Sequence, residues 1–304
     1  MRPMMPRSKA SKFSLALLAV SILCLPSISA QEQKDDAVRL GADIVLVNAT
    51  VTDAAGKYAH GLKREDFSIV EDNVPQEIAY FGAEETPFAA AILLDTSGSM
   101  ETKLSVARAA AAQFVDRIRT DDVVAVYGFS TEVKQLQEFS PVRDITDLIW
   151  ETQAEGWTKM FDCIIEAVSE LSKREEKRRA ILLLSDGEDT RSGASMSEAL
   201  RKALAAGVTV YSIDLIDTAA RSAMSGSAIL RDFAEKTGGR YIKSQGGTSL
   251  SSTFVDIVEE LRNQYTLAYY FSGKPDGKWR SIEVKLSRPE LTARARKGYY
   301  APKK

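Results

Sequence analysis

The chain has 304 residues, of which 44% are hydrophobic, with 40 basic residues against 42 acidic ones and a formal net charge of −2. This slightly acidic balance argues against a general nucleic-acid or anionic-membrane surface. With one histidine and two cysteines, the chain has too few of these residues to favour histidine-based catalysis or a zinc site with histidine and cysteine ligands. The length suits one large domain or two modest ones.

The first 30 residues have the pattern of a secretory signal peptide. Basic residues come first, an apolar run follows at residues 13–25, and small residues lead up to Ala30. The run is shorter than the roughly 20 apolar residues of a membrane span. We therefore expect cleavage, no transmembrane span afterwards, and a secreted or periplasmic protein; an uncleaved N-terminal anchor is the alternative. Cys24 lies in this segment, but Leu23 before it fits a lipidation site poorly.

After cleavage only Cys163 remains, which excludes an intramolecular disulfide, and we expect this thiol to pack as a small apolar side chain. Residues 31–37 are polar and predict a linker. Residues 38–85 then have the texture of β-structure: ADIVLVNATVTD (42–53) is rich in β-branched residues, and two shorter strand candidates follow. His60 stands between two glycines, which predicts a turn residue.

From residue 86 to residue 264, apolar strand-like runs alternate with helical periodicity. Strands are predicted at residues 88–95, 122–130, 180–186, 208–215 and 240–244, and helices at 103–119, 160–179, 197–207, 228–239 and 249–264. Such alternation predicts an α/β domain with a doubly wound, mostly parallel sheet covered by helices on both faces.

The last segment, residues 265–304, returns to β-texture with three strand candidates, at 265–272, 278–287 and 292–300. We predict that residues 38–85 and 265–304 together form one small β-sandwich, into which the α/β domain is inserted. Two separate β-units would each have too little core.

Polar residues collect where the predicted parallel strands end, which is where open α/β sheets bind ligands. One strand ends at Asp95, followed by Ser97 and Ser99; another ends at Asp186; and Thr158 precedes a helix. These two carboxylates and three hydroxyls are hard oxygen donors, which suit Mg²⁺ or a related hard cation. The alternative is that Asp95 caps a helix and that the serines only form a turn.

These residues resemble the metal-ion-dependent adhesion site of the von Willebrand factor type A domain: DTSGS at 95–99, then Thr158, then Asp186 with the following glycine, within about residues 86–264. The resemblance implies that Ser97 and Ser99 ligate Mg²⁺, or Mn²⁺ or Ca²⁺, directly. It implies that Thr158, Asp95 and Asp186 ligate directly or through water. It also implies a protein partner that fills the open position with an acidic side chain.

Two residues are candidates for the rim of this site. Trp157 stands where the family often has glycine, and it either narrows access or offers an aromatic contact. Glu188 is the second candidate. Glu188 and Asp189 beside it are expected to be solvated loop charges, and a supporting role at the rim is the alternative. The flanks 62–78 and 279–302 are similar to bacterial von Willebrand factor A-related proteins first noted in acidobacteria, which extends the resemblance over nearly the whole mature chain.

The sequence thus predicts an exported, metal-dependent protein-binding module that is not an enzyme. The alternatives are a metal-dependent hydrolase and a structural scaffold with a vacant metal site. The run DTSG resembles the Asp-Thr-Gly turn of aspartic proteases, but a serine intervenes and no second copy exists to form a carboxylate dyad. A nucleotide-binding P-loop would need Gly-Lys-Ser or Gly-Lys-Thr after a strand, and no predicted strand is followed by it.

Overall fold

Three β-sheets and five α-helices build the described part of the chain, in a computed structural model that describes residues 44–83, 85–141, 150, 153–215, 223–244 and 248–303. The predicted signal peptide and linker lie outside the described residues. The strands are β1 (Ile44–Thr52), β2 (Phe67–Glu71), β3 (Val74–Gln76), β4 (Tyr80–Gly82), β5 (Phe88–Asp95), β6 (Val123–Phe129), β7 (Val133–Ser140), β8 (Arg178–Ser185), β9 (Val208–Asp214), β10 (Tyr241–Lys243), β11 (Tyr265–Tyr270), β12 (Trp279–Leu286), β13 (Thr292–Ala295) and β14 (Gly298–Tyr300). The helices are α1 (Leu104–Arg117), α2 (Met160–Ser172), α3 (Met196–Ala205), α4 (Ala223–Thr237) and α5 (Thr248–Arg262).

The central sheet has six strands in the order β10-β9-β8-β5-β6-β7. All neighbours are parallel except β7, which pairs antiparallel with β6 at the edge. All eight residues of β5 are buried because helices cover both faces of the sheet. Ile92 and Leu94 belong to the core that includes α1 and α5, while Ala91 and Leu93 belong to the core that includes α2, α3 and α4. The predicted doubly wound, mostly parallel sheet is confirmed.

The two flanks of the chain combine into a pair of antiparallel sheets, with strand orders β13-β1-β11-β4 and β14-β12-β2-β3. Each sheet joins an N-terminal strand to a C-terminal one: β1 pairs with β11, and β2 pairs with β12. Buried side chains of both sheets, such as Val47, Ile69 and Leu267, form one hydrophobic cluster. The predicted β-sandwich built from both flanks, with the α/β domain inserted in it, is therefore confirmed.

A buried polar cluster joins the sandwich to the helical layer through Glu260 of α5, which is 1% exposed. Its carboxylate accepts hydrogen bonds from the hydroxyls of Tyr211 on β9 (2.6 Å) and Thr50 on β1 (3.3 Å). It also forms an ion pair with Arg294 of β13. Because a buried carboxylate is stable only when paired, these contacts fix α5 against the sandwich.

The predicted helix at 160–179 is too long. Helix α2 ends at Ser172, and β8 already begins at Arg178. The Arg178 side chain is 1% exposed, and its guanidinium donates to the backbone carbonyl of Arg262 at 2.7 Å. This contact between residues distant in sequence holds Arg178, which lies in the charged run 173–179, at the start of β8.

The ends of the chain also hold more strands than predicted. The last candidate is two strands, β13 and β14, and the N-terminal flank has three short strands after β1 instead of two. Strand β7 was not predicted. The turn between β2 and β3 uses Asp72 (φ 46°) and Asn73 (φ 67°), two residue types that tolerate this backbone region.

Three further observations concern the remaining expectations. Cys163 is fully buried in α2 as a free thiol, as predicted, and burial raises its pKa. His60 is exposed in the loop that follows β1. Among the described residues, no helix combines the length and the apolar character needed to cross a membrane.

Candidate metal centre

The candidate centre begins where β5 ends, at Asp95, which is fully buried. The chain then turns through Thr96 and Ser97 into a short 3-10 helix, Gly98–Met100, before α1 starts. Two hydrogen bonds hold this turn against the end of β6: the backbone N–H and the hydroxyl of Thr96 both donate to the carbonyl of Phe129, at 2.8 and 3.1 Å. The turn is therefore fixed to the sheet edge.

A short hydrogen-bonded run links the first three candidate ligands. The Asp95 Oδ1 atom accepts hydrogen bonds from the Ser97 backbone N–H (3.0 Å) and from the Ser97 hydroxyl (2.6 Å). The Ser97 and Ser99 Oγ atoms lie 3.2 Å apart. Ser97 is buried and Ser99 is exposed, so the run leads from the interior of the sheet to the surface.

Asp186 follows directly after β8, the neighbour of β5 in the sheet, and is 6% exposed. Burial raises the pKa of Asp95 to about 7, hydrogen bonds from Ser185 and Ser97 act in the opposite direction, and the charge of Asp186 adds to the rise. No basic side chain is among the described groups that set this pKa. Two carboxylates thus share a poorly solvated sheet edge, where a cation would offset their charge.

Thr158 lies on a loop that packs against the turn after β5. The backbone N–H of Glu155 donates to Thr96 O (2.9 Å), and that of Gly98 donates to Gly156 O (3.3 Å). The Thr158 backbone is held from the other side, because its N–H donates to Thr190 Oγ1 at 3.0 Å. The structure therefore brings this loop to the same edge as Asp95 and Asp186.

Gly156 is required at its position in this loop. Its φ is +77°, and a Cβ atom there would lie 2.2 Å from the side-chain oxygen of Thr131. Any other residue would combine backbone strain with a clash, so the close approach of the loop depends on glycine.

Asp189 is not the solvated loop charge that the sequence predicted. Its Oδ2 accepts hydrogen bonds from the Phe161 backbone N–H at the start of α2 (2.9 Å) and from the Ser192 hydroxyl (2.6 Å). The Asp162 backbone N–H likewise donates to Ser192 Oγ at 3.1 Å. The loop after β8 thus satisfies free amides of the first turn of α2, whose positive end would otherwise disfavour a cation nearby.

The two rim candidates differ in exposure. Trp157 is 56% exposed; its backbone N–H donates to Thr131 Oγ1 at 3.1 Å, and the Arg191 guanidinium lies 5.7 Å from the centre of its ring. Glu188 is half-buried, and its N–H donates to Asp186 Oδ1 at 3.2 Å. Trp157 therefore offers an aromatic surface to solvent.

Sequence reasoning missed two polar residues at this edge. The Ser185 hydroxyl donates to Asp95 Oδ2 at 2.6 Å and accepts the Gly187 N–H at 2.9 Å. Ser185 could have been found from the parallel register of β5 and β8, because that register pairs Leu94 with Leu184, the residues just before Asp95 and Ser185. Asp214, at the end of β9, is the second; it accepts hydrogen bonds from the hydroxyls of Ser227 and Tyr241.

The donor set fits a hard divalent cation that is bound in part by hydroxyls. Within the described ranges, no group of three or more histidine, cysteine, aspartate and glutamate residues is arranged to hold a metal. The centre combines two carboxylates, Asp95 and Asp186, with the hydroxyls of Ser97 and Ser99. Oxygen donors of this kind suit Mg²⁺, Mn²⁺ or Ca²⁺.

Comparisons with known proteins agree with this architecture. The family model of the von Willebrand factor type A domain matches residues 91–255. Among solved structures, the vWF domain of the type V pili tip protein Mfa5 from Porphyromonas gingivalis is similar with a TM-score of 0.50 and 12% identity, covering 58% of this chain and 95% of that one. At this identity the similarity shows the fold alone.

Two further solved structures have TM-scores just below 0.50. An aerotolerance-related membrane protein from Bacteroides fragilis NCTC 9343 aligns with a TM-score of 0.47 and 18% identity over 57% of this chain and 98% of that one. The pilus adhesin SpaC from Lactobacillus rhamnosus GG aligns with a TM-score of 0.49 and 12% identity over 82% of this chain and 49% of that one. The comparison with curated proteins found no match.

Proposed function

Because the chain belongs to the von Willebrand factor type A domain family, we propose that it is an exported protein that binds a protein partner through a divalent cation. The proposed ligands are Asp95, Ser97, Ser99, Thr158 and Asp186. The observation that supports this most directly is the hydrogen-bonded run from the buried Asp95 carboxylate to the exposed Ser99. It lies at the edge where the carboxyl ends of parallel strands bind ligands.

The cation would be Mg²⁺, or alternatively Mn²⁺ or Ca²⁺. When bound, it would attract a carboxylate oxygen of the partner as a further ligand. The residues of the chain hold and orient its ligands. Hydrogen bonds from Ser185 and from the Ser97 amide fix both oxygens of Asp95, so that its orientation is set before any ligand arrives. Ser99, as the exposed end of the run, faces the side from which a partner approaches.

The surface beside the centre favours protein binding. Trp157 is exposed and Arg191 lies against its ring. Tryptophan and arginine are the residue types most enriched among the contacts that carry binding energy in protein interfaces. We propose that Trp157 contacts the partner at the rim, with Glu188 behind it, while an acidic side chain of the partner enters the centre.

We propose binding and not catalysis as the role of the centre. The single histidine, His60, lies in the loop after β1 and follows no strand of the central sheet. Two features of the sequence support export: the signal-peptide pattern of residues 1–30 and the polar linker predicted at residues 31–37. The mature protein would be periplasmic or secreted.

The metal is tested first, by titrating the purified chain with Mn²⁺ and measuring free Mn²⁺ by electron paramagnetic resonance. We expect one site that Mg²⁺ competes for, and an affinity that falls at least tenfold in Asp95→Asn and in Ser99→Ala. Glu283→Gln removes an exposed carboxylate from β12 and should leave the affinity unchanged. Absence of the site in the wild-type chain would overturn the proposal.

Partner capture is tested with a panel of immobilised peptides that contain Asp or Glu, each beside a twin with Asn or Gln. We expect binding only of acidic members, only with Mg²⁺ present, and not by Asp95→Asn. Binding that survives chelation, or the absence of any acidic binder, contradicts carboxylate capture. Metal-dependent turnover of a nitrophenyl ester or phosphate that Asp95→Asn loses would assign a hydrolase instead.

A further inference from the structure

A cavity of about 550 Å³ lies between the sandwich and the ends of α2 and α3. Arg179 at the start of β8 and Gly207 just before β9 both line it, so it opens near the amino ends of the parallel strands. Strand β8 has eight residues, which at about 3.3 Å per residue separates this cavity from the candidate metal centre by about 23 Å. Its volume falls within the range of roughly 300–1,000 Å³ that is typical of small-molecule sites.

The walls of the cavity are largely apolar and aromatic. Ile44 and Leu46 of β1 form one side, and Phe271, Tyr299 and Tyr300 contribute aromatic rings. The rings are held in place by their neighbours: Phe271 packs edge-on against Tyr299 at 6.2 Å. A rigid aromatic wall of this kind favours a ligand with a flat or compact apolar body.

Three basic side chains line the same cavity, Lys177, Arg179 and Arg296, and none of its described lining residues is acidic. None of the three has an acidic partner within 4 Å among the described residues. The Lys177 Nζ atom lies 3.8 Å from the centre of the Tyr80 ring. The Arg179 guanidinium donates to the backbone carbonyls of Glu176 (2.9 Å), Ala206 (3.5 Å) and Arg174 (2.5 Å), which leaves two of its five N–H groups for a ligand. The cavity is therefore a concentration of positive charge that the protein does not neutralise directly.

Arg296 is the most constrained of these cations. It is 8% exposed, and burial lowers its pKa to about 10. One guanidinium nitrogen donates to Leu204 O at 2.9 Å, but the Nε atom has no hydrogen-bond partner among the described residues. The carboxylate whose charge opposes this fall in the pKa of Arg296 is Glu71. Glu71 already accepts hydrogen bonds from the hydroxyls of Tyr269 (2.6 Å) and Tyr299 (2.8 Å). A buried charge with an unmet donor is costly unless an anion reaches it.

From this combination we propose that the cavity binds a small organic anion, a carboxylate or sulfonate carried on an apolar aromatic or aliphatic body. The apolar body lies against Phe271 and Tyr299, and the anionic group lies among Lys177, Arg179 and Arg296. Charge-assisted hydrogen bonds from guanidinium groups to a carboxylate or sulfonate are short and about twice as strong as neutral ones, so the anion decides which ligands bind. This site is separate from the metal centre and does not depend on the proposed function.

The test compares two fluorescent probes with the same ring system. 1-Anilinonaphthalene-8-sulfonate carries a sulfonate, whereas N-phenyl-1-naphthylamine lacks it. In fluorescence titrations of the folded chain we expect saturable binding of the sulfonate probe at one site, at least tenfold tighter than the neutral probe. Binding should be the same in EDTA and in Mg²⁺, which distinguishes it from the metal centre.

Three variants locate the binding. Lys177→Gln removes an exposed lining cation and should weaken the sulfonate probe at least fivefold. Ala205→Trp adds bulk at an exposed lining position and should abolish binding. Lys134→Gln, a matched loss of one exposed lysine on the far edge strand β7, should change nothing. Thermal unfolding verifies that each variant is folded.

The proposal is overturned if the sulfonate probe shows no saturable binding, or if the neutral probe binds equally well. It is also overturned if Lys177→Gln or Ala205→Trp, while folded, retains the wild-type affinity. Each of these results would mean that the cavity does not select an anion with an apolar body.

Discussion

Replacing Asp95 with asparagine should stabilise the metal-free protein. The side chain is fully buried and accepts three hydrogen bonds, two from Ser97 and one from Ser185. Asparagine keeps the carbonyl that Ser97 needs. Its amide can donate to Ser185 Oγ, since a hydroxyl accepts as well as donates. The substitution therefore removes the charge, keeps both hydrogen bonds from Ser97 and reverses the direction of the one with Ser185.

The magnitude follows from the cost of the buried charge. Burial raises the pKa of Asp95 from 3.8 to about 7 in the folded protein. Ionisation therefore costs stability as the pH rises from about 4, where the unfolded chain ionises, through about 7, above which the cost is complete. At 1.36 kcal/mol per pKa unit, this upper limit is about 4 kcal/mol. We expect the asparagine variant to be more stable by about 1 to 4 kcal/mol at pH 8 in EDTA.

The assay is urea unfolding followed by circular dichroism at pH 8 in EDTA, with Glu283→Gln as a control for the loss of an exposed carboxylate. Saturating Mn²⁺ should reduce or reverse this difference, because the wild type gains more binding energy than the variant. If Asp95→Asn is instead less stable than the wild type in EDTA, Asp95 is a structural residue of the turn and the reasoning is refuted.

Three other perturbations test the packing of the α/β domain and the loop beside the centre. Phe254→Ala removes a buried ring that packs edge-on against Phe114 and should cost about 3–5 kcal/mol of unfolding free energy in urea; a loss below 1 kcal/mol would contradict the tight packing of α5. Gly156→Ala should cost about 1–3 kcal/mol from its positive φ, and it should also weaken Mn²⁺ binding; unchanged binding would show that the loop does not shape the centre. In residues 31–304, which lack Cys24, Cys163 should resist maleimide labelling until urea unfolds the chain, because burial both shields the thiol and raises its pKa; rapid labelling of this native protein would refute its burial.

Much of the fold could be predicted from local patterns in the sequence. Strand β5 is an uninterrupted apolar run, and its alternate residues contact helices on opposite faces. The charged run before β8 could not be read in this way, because strong helix formers continue past Ser172. Arg178 becomes a strand residue through hydrogen bonds to carbonyls at the end of α5, and no local pattern reports a contact between residues so far apart.

Some residues of the candidate centre could likewise be identified from the sequence, and others could not. Asp95 and Asp186 could be identified because each ends an apolar run, and parallel strands end at a common edge. Ser185 could not be identified as a partner of Asp95 without the register of β5 and β8. Asp189 could not be identified as a partner of α2 either, because its hydrogen bond to Phe161 depends on how the loop after β8 folds back.

The most direct test of the account is thermal unfolding of the chain with Mg²⁺, Mn²⁺ or Ca²⁺ against EDTA, for the wild type and Asp95→Asn. A ligand at a hundredfold excess over its dissociation constant stabilises the native state by about 2.7 kcal/mol, which corresponds to a rise of roughly 4–5 °C for a chain of this size. We predict this rise for the wild type and at most about half of it for Asp95→Asn, whose affinity is expected to be at least tenfold lower. No rise at millimolar concentrations of any of the three metals, or an equal rise in both proteins, would contradict a metal centre at Asp95.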